Sequence, residues 1–137
     1  MSDSDFRFRI AIASNDGKTI DGHFGSCEQF LIYEFDADTV VPLEQRPAST
    51  EGGIDKNDYR AAQLADCHLL YVASIGGPAA AKVIKTGVHP LRDPNSTAIS
   101  EALIKLQQVL KGTPPPWMAK MMGAANPLAT KLEAAND

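Results

Sequence analysis

The stretch His68-Leu69-Leu70-Tyr71-Val72-Ala73-Ser74-Ile75-Gly76-Gly77-Pro78 is a short, almost continuous apolar run that ends in two glycines and a proline. Such a run, bounded by turn residues, is typical of a central strand that is covered on both faces of its sheet. Proline suits the first turn of a helix, because a backbone N–H at that position has no partner within the helix. The stretch therefore predicts a buried strand over residues 68–74 and a helix over 79–86, which together form the basic unit of an α/β fold.

Similar patterns predict strands and helices on either side of this unit. Residues 7–14 alternate polar and apolar and then become apolar, which indicates a strand that enters the core. Residues 30–35 and 40–44 form a predicted hairpin, and Pro42 suits a strand at the edge of a sheet. The remaining predicted elements are helices over 57–66 and 100–110 and a short strand over 88–91. The order β, ββ, α, β, α, β, α predicts an α/β fold with a mixed sheet of about five strands and helices packed on it.

The domain organisation follows from length and composition. A chain of 137 residues with 44% apolar residues fits one domain with one packed core. We expect residues 1–6 to be disordered, residues 7–112 to form the domain, and residues 113–137 to form a Pro-rich segment, a short amphipathic piece and a mobile tail. In the amphipathic piece, Trp117 and the methionines after it either cover the domain's own core or form a docking strip for a partner.

The charge and hydropathy exclude several classes of protein. The formal net charge of −4 and the pI of about 5.3 argue against a general nucleic-acid binder. No apolar run approaches the roughly 18 to 20 residues of a membrane span, and the acidic N-terminus is unlike the basic start of a secretory signal. We therefore expect a cytoplasmic protein with no membrane association, in which Cys27 and Cys67 are reduced thiols.

The segment Asp21-Gly22-His23-Phe24-Gly25-Ser26-Cys27 places an imidazole and a thiol four positions apart in a glycine-framed loop. Imidazole and thiolate are the side chains that hold soft and borderline metals, and glycines leave room for a ligand near the main chain. The loop therefore predicts a metal site with His23 and Cys27 as candidate ligands. The alternatives are a histidine that only bonds within its loop and a cysteine that serves as a small buried apolar residue.

A second candidate feature is the turn before the predicted helix over 79–86. Gly76 and Gly77 leave backbone N–H groups free at the start of that helix, where an anion is stabilised, although glycines used for close packing are the alternative. The spacing does not match a dinucleotide or phosphate-loop fingerprint. Lys56, Arg60 and Lys82 are candidate sources of positive charge for the same site.

Three other residues of metal-binding type are expected to be structural. Cys67 and His68 are consecutive in a strand, so their side chains face opposite sides of the sheet and do not chelate one metal together. We expect Cys67 to lie in the core. His89, beside a short strand, is expected to support the structure or the site rather than to ligate a metal.

Six segments occur in order along the chain between residues 7 and 123. They are Asp-Gly-His-Phe-Gly-Ser-Cys at 21–27, Phe-Leu-Ile-Tyr at 30–33, Ala-Asp-Cys at 65–67, Ser-Ile-Gly-Gly-Pro-Ala-Ala-Ala-Lys at 74–82, Gly-Val-His-Pro at 87–90 and Pro-Pro-Pro-Trp at 114–117. As a joint pattern, these segments resemble the nitrogenase iron-molybdenum cofactor biosynthesis family, of the NifX, VnfX and NafY core-domain type.

This resemblance implies a ribonuclease-H-like fold and a carrier or storage protein for an iron-sulfur cofactor. The implied cargo is the iron-molybdenum cofactor, the iron-vanadium cofactor or a precursor of the NifB-co type, bound transiently. The implied partners are nitrogenase cofactor assembly proteins and apo-dinitrogenase. His23 matches the cluster ligand expected in the family, and Phe24 and Gly25 belong to the same His-Phe-Gly motif. Larger members carry an extra N-terminal domain, so the sequence leaves open whether this chain is a short member or a core.

Enzymes are the competing class. A ribonuclease-H-like nuclease needs carboxylates to hold two metal ions, and residues 10–13 of the first predicted strand include none. A thiol enzyme with Cys27 as nucleophile and His23 as base lacks an evident third orienting group. We therefore expect no catalysis. A chaperone that docks on apo-dinitrogenase without holding the cluster is the alternative to the carrier.

Overall fold

The computed structural model of the protein describes residues 6–48 and 56–125. Within these residues the strands are β1 (Phe8–Ser14), β2 (Gln29–Phe35), β3 (Val40–Pro47), β4 (Leu69–Val72) and β5 (His89–Arg92). The helices are α1 (Lys56–Gln63), α2 (Gly77–Lys85), α3 (Ile99–Lys111) and α4 (Pro116–Ala125). Each strand and helix predicted from the sequence is present, and the predicted amphipathic piece forms α4.

The strands form one mixed sheet in the order β3-β2-β1-β4-β5. β2 is antiparallel to both β1 and β3, whereas β1, β4 and β5 run parallel to one another. Pro42 lies in the edge strand β3, where a missing N–H costs no ladder hydrogen bond. The predicted fold class, a ribonuclease-H-like mixed sheet with helices packed on it, is confirmed. Because the three parallel strands share one direction, the segments that follow them meet at the end of the sheet where these strands terminate. We call this end of the sheet the carboxyl edge.

Two apolar clusters cover the two faces of the sheet. Successive side chains of a strand point to opposite faces, so Ile10 and Ile12 join the cluster beneath α3 and α4, while Ala11 and Ala13 join the cluster beneath α1 and α2. Both cysteines are buried free thiols in the cluster beneath α1 and α2. The expectation that Cys67 is a core residue is therefore confirmed, and burial raises the pKa of its thiol to about 12.

The C-terminal helix closes the face of the sheet beneath α3. Met118 is fully buried in that cluster, and Trp117 stacks on the ring of His89 with centroids 3.8 Å apart and an interplanar angle of 7°. Of the two alternatives left open for this segment, the structure therefore supports the one in which it covers the domain's own core. Phe6, which we assigned to the disordered N-terminus, contacts the rings of Phe8 and His68.

Two further predictions, at the chain ends, lie outside the described residues. These are the disorder of residues 1–5 and the mobile tail over residues 126–137. Within the described part of the chain, no helix is both long and apolar enough to cross a membrane.

An ion-pair network ties β1 and β3 to the turn before β4. The carboxylate of Asp66 accepts hydrogen bonds from Arg46 at 2.8 Å and from Arg9 at 3.0 Å. The hydrogen bond from Arg46 is the main reason why the pKa of Asp66 lies well below its usual range. Asp66 is thus ionised in the folded protein at any pH near neutrality.

Replacing Asp66 tests how much this network stabilises the fold. Because the pKa of Asp66 is lowered on folding, its contribution is complete above the unfolded pKa of about 3.9 and is lost as the pH falls through the lower folded pKa. We expect Asp66→Asn to lower the free energy of unfolding by about 1 kcal/mol at pH 7, since the side chain is partly exposed. Urea unfolding at several pH values should show the difference from wild type narrowing below about pH 4. Asp38→Asn, on the β2–β3 turn, is the control; an equal loss in both variants would contradict the prediction.

Candidate functional site

The His23 loop, residues 21–27, lies at the carboxyl edge and is held there by main-chain hydrogen bonds. Gly22 donates to the carbonyl of Ala13 at 3.1 Å and accepts from the N–H of Ala73 at 2.8 Å. On the other side of the histidine, Phe24 donates to the carbonyl of Ser74 at 3.0 Å. The backbone on both sides of His23 is therefore held by hydrogen bonds to the end of β1 and to the residues that follow β4.

Gly22 is required by the closeness of this packing. A Cβ atom at this position would lie 2.7 Å from the carbonyl carbon of Ala13 and 2.7 Å from the Cβ of Cys27. Separations this short do not occur in real structures, so any side chain at this position would displace the loop from β1. The glycine sets how closely the loop approaches the strand.

The imidazole of His23 is exposed, and one of its nitrogens is already engaged. Nδ1 forms a short hydrogen bond with the hydroxyl of Ser74. Metal-bound histidines usually have their second ring nitrogen fixed by such a bond, which sets the ring orientation and leaves the other nitrogen for the metal. The arrangement leaves Nε2 as the nitrogen available to a ligand.

Phe24 and Cys27, by contrast, form the underside of the loop. The side chain of Phe24 is fully buried and packs against Phe30, with ring centroids 6.0 Å apart. Cys27 is 2% exposed, and its N–H donates to the carbonyl of His23 at 2.8 Å. Both residues therefore anchor the loop in the core below the exposed histidine.

Arg60, one of the candidate sources of positive charge named from the sequence, is buried beneath the same loop. Its Nη1 donates to the carbonyls of Phe24 at 3.0 Å and Cys27 at 3.1 Å, and lies 3.4 Å from the sulfur of Cys27. Within the described residues Arg60 forms no ion pair, and its buried Nε has no hydrogen-bond partner. A positive charge with no carboxylate partner in the described part of the chain therefore lies directly under the site.

The thiol of Cys27 responds to both its burial and this charge. Burial raises the pKa of the thiol, and Arg60 partly opposes that rise. Cys27 is therefore a neutral thiol at neutral pH when no metal is bound to it.

Gly76 and Gly77 adjoin His23 through Ser74, at the start of α2. Both are exposed, and a Cβ added to either would meet no atom within 4 Å. Close packing therefore does not explain why these positions are glycine. Gly77 is the first residue of α2, so its N–H is one of those that lack an acceptor within the helix.

The two lysines proposed from the sequence, Lys56 and Lys82, are not placed at the site by the described residues. Lys82 forms an ion pair with Asp58 of α1 at 2.9 Å, which directs its charge toward α1. Lys56 is the first residue of α1, and its side chain lies outside the described part of the chain. The loop residues and the glycine turn thus come together at the carboxyl edge, with Arg60 beneath them and Lys82 engaged elsewhere.

Two residues of this region were not identified from the sequence. Ser74 bonds to His23 across a separation of 51 residues, and Arg92, at the end of β5, donates to the carbonyl of Ile75 at 3.4 Å. A signal for Ser74 did exist, because it is the last polar residue before the glycines at the end of a predicted strand. Among the described residues, no three His, Cys, Asp or Glu side chains converge on one point.

The chain that carries this fold and this exposed histidine is similar in sequence to nitrogenase-related proteins. The chain belongs to the dinitrogenase iron-molybdenum cofactor family, whose sequence model matches residues 7–109. The resemblance identified from the sequence is therefore confirmed.

Individual relatives agree with this assignment. NifY of Azotobacter vinelandii is 47% identical over 122 residues, which cover 85% of this chain and 48% of that protein. NifX of Sinorhizobium fredii is 36% identical over 126 residues, which cover 85% of this chain and 79% of that protein. The chain thus spans about half the length of this NifY relative. A crystal structure from Methanocaldococcus jannaschii, described as a candidate dinitrogenase, has the same fold at 14% identity, with a TM-score of 0.55 over 77% of this chain and 92% of that one.

A substitution at Gly22 tests the role of close packing in the site. We expect Gly22→Ala to lower the free energy of unfolding by about 1–3 kcal/mol, because the added methyl group overpacks the contact between loop and strand. Urea unfolding measures the effect. Gly76→Ala is the matched control, since its Cβ enters open space and should change stability by less than about 0.5 kcal/mol. Equal stability of the two variants would show that the loop is not held as closely as described.

Proposed function

We propose that this protein is a non-catalytic carrier that binds an iron-sulfur cofactor of nitrogenase, or its precursor, and delivers it during dinitrogenase maturation. The observation that carries the proposal is an exposed His23 whose backbone is fixed on both sides and whose Nδ1 is bonded to Ser74. Membership of the dinitrogenase iron-molybdenum cofactor family supports the choice of cargo. The cargo is the iron-molybdenum cofactor, the iron-vanadium cofactor or a NifB-co type precursor.

A single histidine suits a protein that must release what it holds. Permanent iron-sulfur clusters are usually held by four cysteines, whereas a cluster bound through one Nε2 is released when one bond breaks. Because main-chain hydrogen bonds already fix the loop and Ser74 already bonds the ring, binding requires little further ordering of the loop. The site can therefore hold the cluster specifically and still give it up.

The surroundings of His23 suit an anionic cargo. The start of α2 at Gly77 contributes the positive end of a helix dipole, and the buried charge of Arg60 lies beneath the loop. A charge in a low-dielectric interior acts more strongly than one in water. The helix dipole and the charge of Arg60 both favour the binding of a negatively charged cluster at His23.

Cys27 is the second candidate ligand. Its thiol is buried below the loop and is neutral at neutral pH, so metal binding by Cys27 requires the loop to open and the thiol to lose its proton. The backbone bonds of Gly22 and Phe24 oppose that opening. His23 is therefore the primary ligand of this proposal, and Cys27 acts first as a support of the loop.

The proposed partners are other proteins of nitrogenase cofactor assembly and apo-dinitrogenase, in the cytoplasm. Sequence similarity to NifX and NifY proteins supports this setting. A segment of the FeMo cofactor biosynthesis protein NifB of Bradyrhizobium diazoefficiens is 26% identical over 134 residues, covering 85% of this chain and 27% of that protein.

Anaerobic titration with isolated iron-molybdenum cofactor tests the carrier function. We expect wild-type protein to co-elute with the cluster in gel filtration and His23→Ala to elute without it, because the metal ligand is gone. Ser74→Ala should weaken binding by roughly 10- to 100-fold, the usual effect of removing the partner of a metal-bound histidine. Visible absorption of the eluted protein measures cluster retention.

Cys27→Ala is the matched control, since it removes the neighbouring thiol and leaves the histidine. We expect it to retain most of the cluster; loss of the cluster in Cys27→Ala alone would make the thiol the principal ligand. Failure of the wild type to retain cluster would overturn the carrier function in favour of a chaperone that only docks on a partner. Circular dichroism confirms that each variant is folded.

A further inference from the structure

Arg92 lies at the same edge of the sheet as His23. It is the last residue of β5 and is paired with Val72 of the parallel strand β4, so both strands end side by side. Its guanidinium donates to the carbonyl of Ile75, the residue that directly follows Ser74. Arg92 is therefore placed beside the turn that holds the imidazole of His23.

The charge of Arg92 is not used within the described part of the chain. Arg7, Arg9 and Arg46 each form ion pairs with carboxylates, and Arg60 is buried against the His23 loop. Arg92 is exposed and has no carboxylate within ion-pair distance among the described residues. A guanidinium has five N–H donors, so a single bond to a carbonyl leaves most of them available.

The neighbouring acidic groups are engaged elsewhere. Asp93 is buried, and its carboxylate accepts from the N–H groups of Asn95 at 3.0 Å and Thr97 at 2.9 Å. Asp21, in the His23 loop, accepts from the N–H of Asn15 at 2.7 Å. Neither carboxylate neutralises Arg92, although the chain as a whole has a net charge of −4.

The surface beside Arg92 is also open. Gly76 has no side chain, and a Cβ built there or at Gly77 meets nothing within 4 Å. The turn next to His23 is therefore not crowded at either glycine. The guanidinium stands at the border of that open surface.

We propose that Arg92 is a binding residue for the cargo of the His23 site, and that its guanidinium contacts negatively charged sulfur or oxygen atoms of the cluster while His23 coordinates a metal. The inference rests on the proposed carrier function and adds a contact that favours a negatively charged cargo. Charge-assisted hydrogen bonds are about twice as strong as neutral ones, so one arginine at this position changes affinity measurably. It also offsets the repulsion between an anionic cluster and an acidic protein.

The test compares Arg92→Ala with Arg7→Ala, which removes the same charge at the opposite edge of the sheet. Wild type and both variants are titrated anaerobically with isolated iron-molybdenum cofactor at several salt concentrations. We expect Arg92→Ala to lose roughly tenfold or more in affinity and to show a weaker dependence on salt, whereas Arg7→Ala stays within about twofold of wild type. Arg92→Lys, which keeps the charge but not the forked donors, should recover part of the affinity and the salt dependence.

A second readout separates a cargo contact from a structural role. The imidazole ¹⁵N chemical shifts of His23 in the cluster-free protein should be the same in wild type and Arg92→Ala, because Arg92 acts on the cargo and not on the histidine. A changed shift would overturn the inference, as would equal affinities of wild type and Arg92→Ala or equal losses in the two alanine variants. Those results leave the carrier function standing, whereas failure of the wild type to retain the cluster overturns the carrier function itself.

Discussion

The site depends on the parallel pairing of β1 with β4. This pairing brings the loop that leaves β1 next to the residues that follow β4, and two backbone hydrogen bonds then fix Gly22 and Phe24 to that end of the sheet. His23 and Ser74 are 51 residues apart in sequence and meet only because of it. The rigidity of the histidine is thus a property of the central sheet, which is the most deeply buried part of the molecule.

The buried charge of Arg60 beneath the His23 loop is stabilised by polar groups of that loop. Burying a guanidinium is unfavourable unless polar groups surround it. Here the carbonyls of Phe24 and Cys27 and the sulfur atom of Cys27 accept hydrogen bonds from Arg60. A carboxylate in their place would neutralise the charge and remove its effect on the loop above. Carbonyl groups hold the arginine and leave its net positive charge in place.

The sequence was sufficient to predict the fold and to name His23 as a candidate, and insufficient to predict the contacts around this histidine. Alternation along β1 and the apolar run of β4 are local patterns, so they predicted the sheet. His23 could be named as a candidate ligand because a glycine-framed loop is also a local feature. The sequence names Arg60 as a candidate source of positive charge but does not predict its burial, because a lone basic residue on a helix usually faces solvent. Only the tertiary packing of α1 under the loop decides otherwise.

Trp117 and Arg92 illustrate the same limit. The sequence does not decide whether Trp117 covers the core or forms a docking strip, because its stacking partner His89 lies on a strand and not on its own helix. The position of Arg92 near the site could not be predicted from the sequence, since it follows from the register between β4 and β5. Such contacts join distant segments, and no periodicity within a single segment predicts them.

The exposure of His23 bears on how cargo could change hands. A cluster held by one nitrogen at the rim of a sheet presents most of its surface to the solvent, so a receiving protein can attach its own ligands before the bond to Nε2 breaks. Ligand exchange of this associative kind keeps every metal coordinated throughout the transfer.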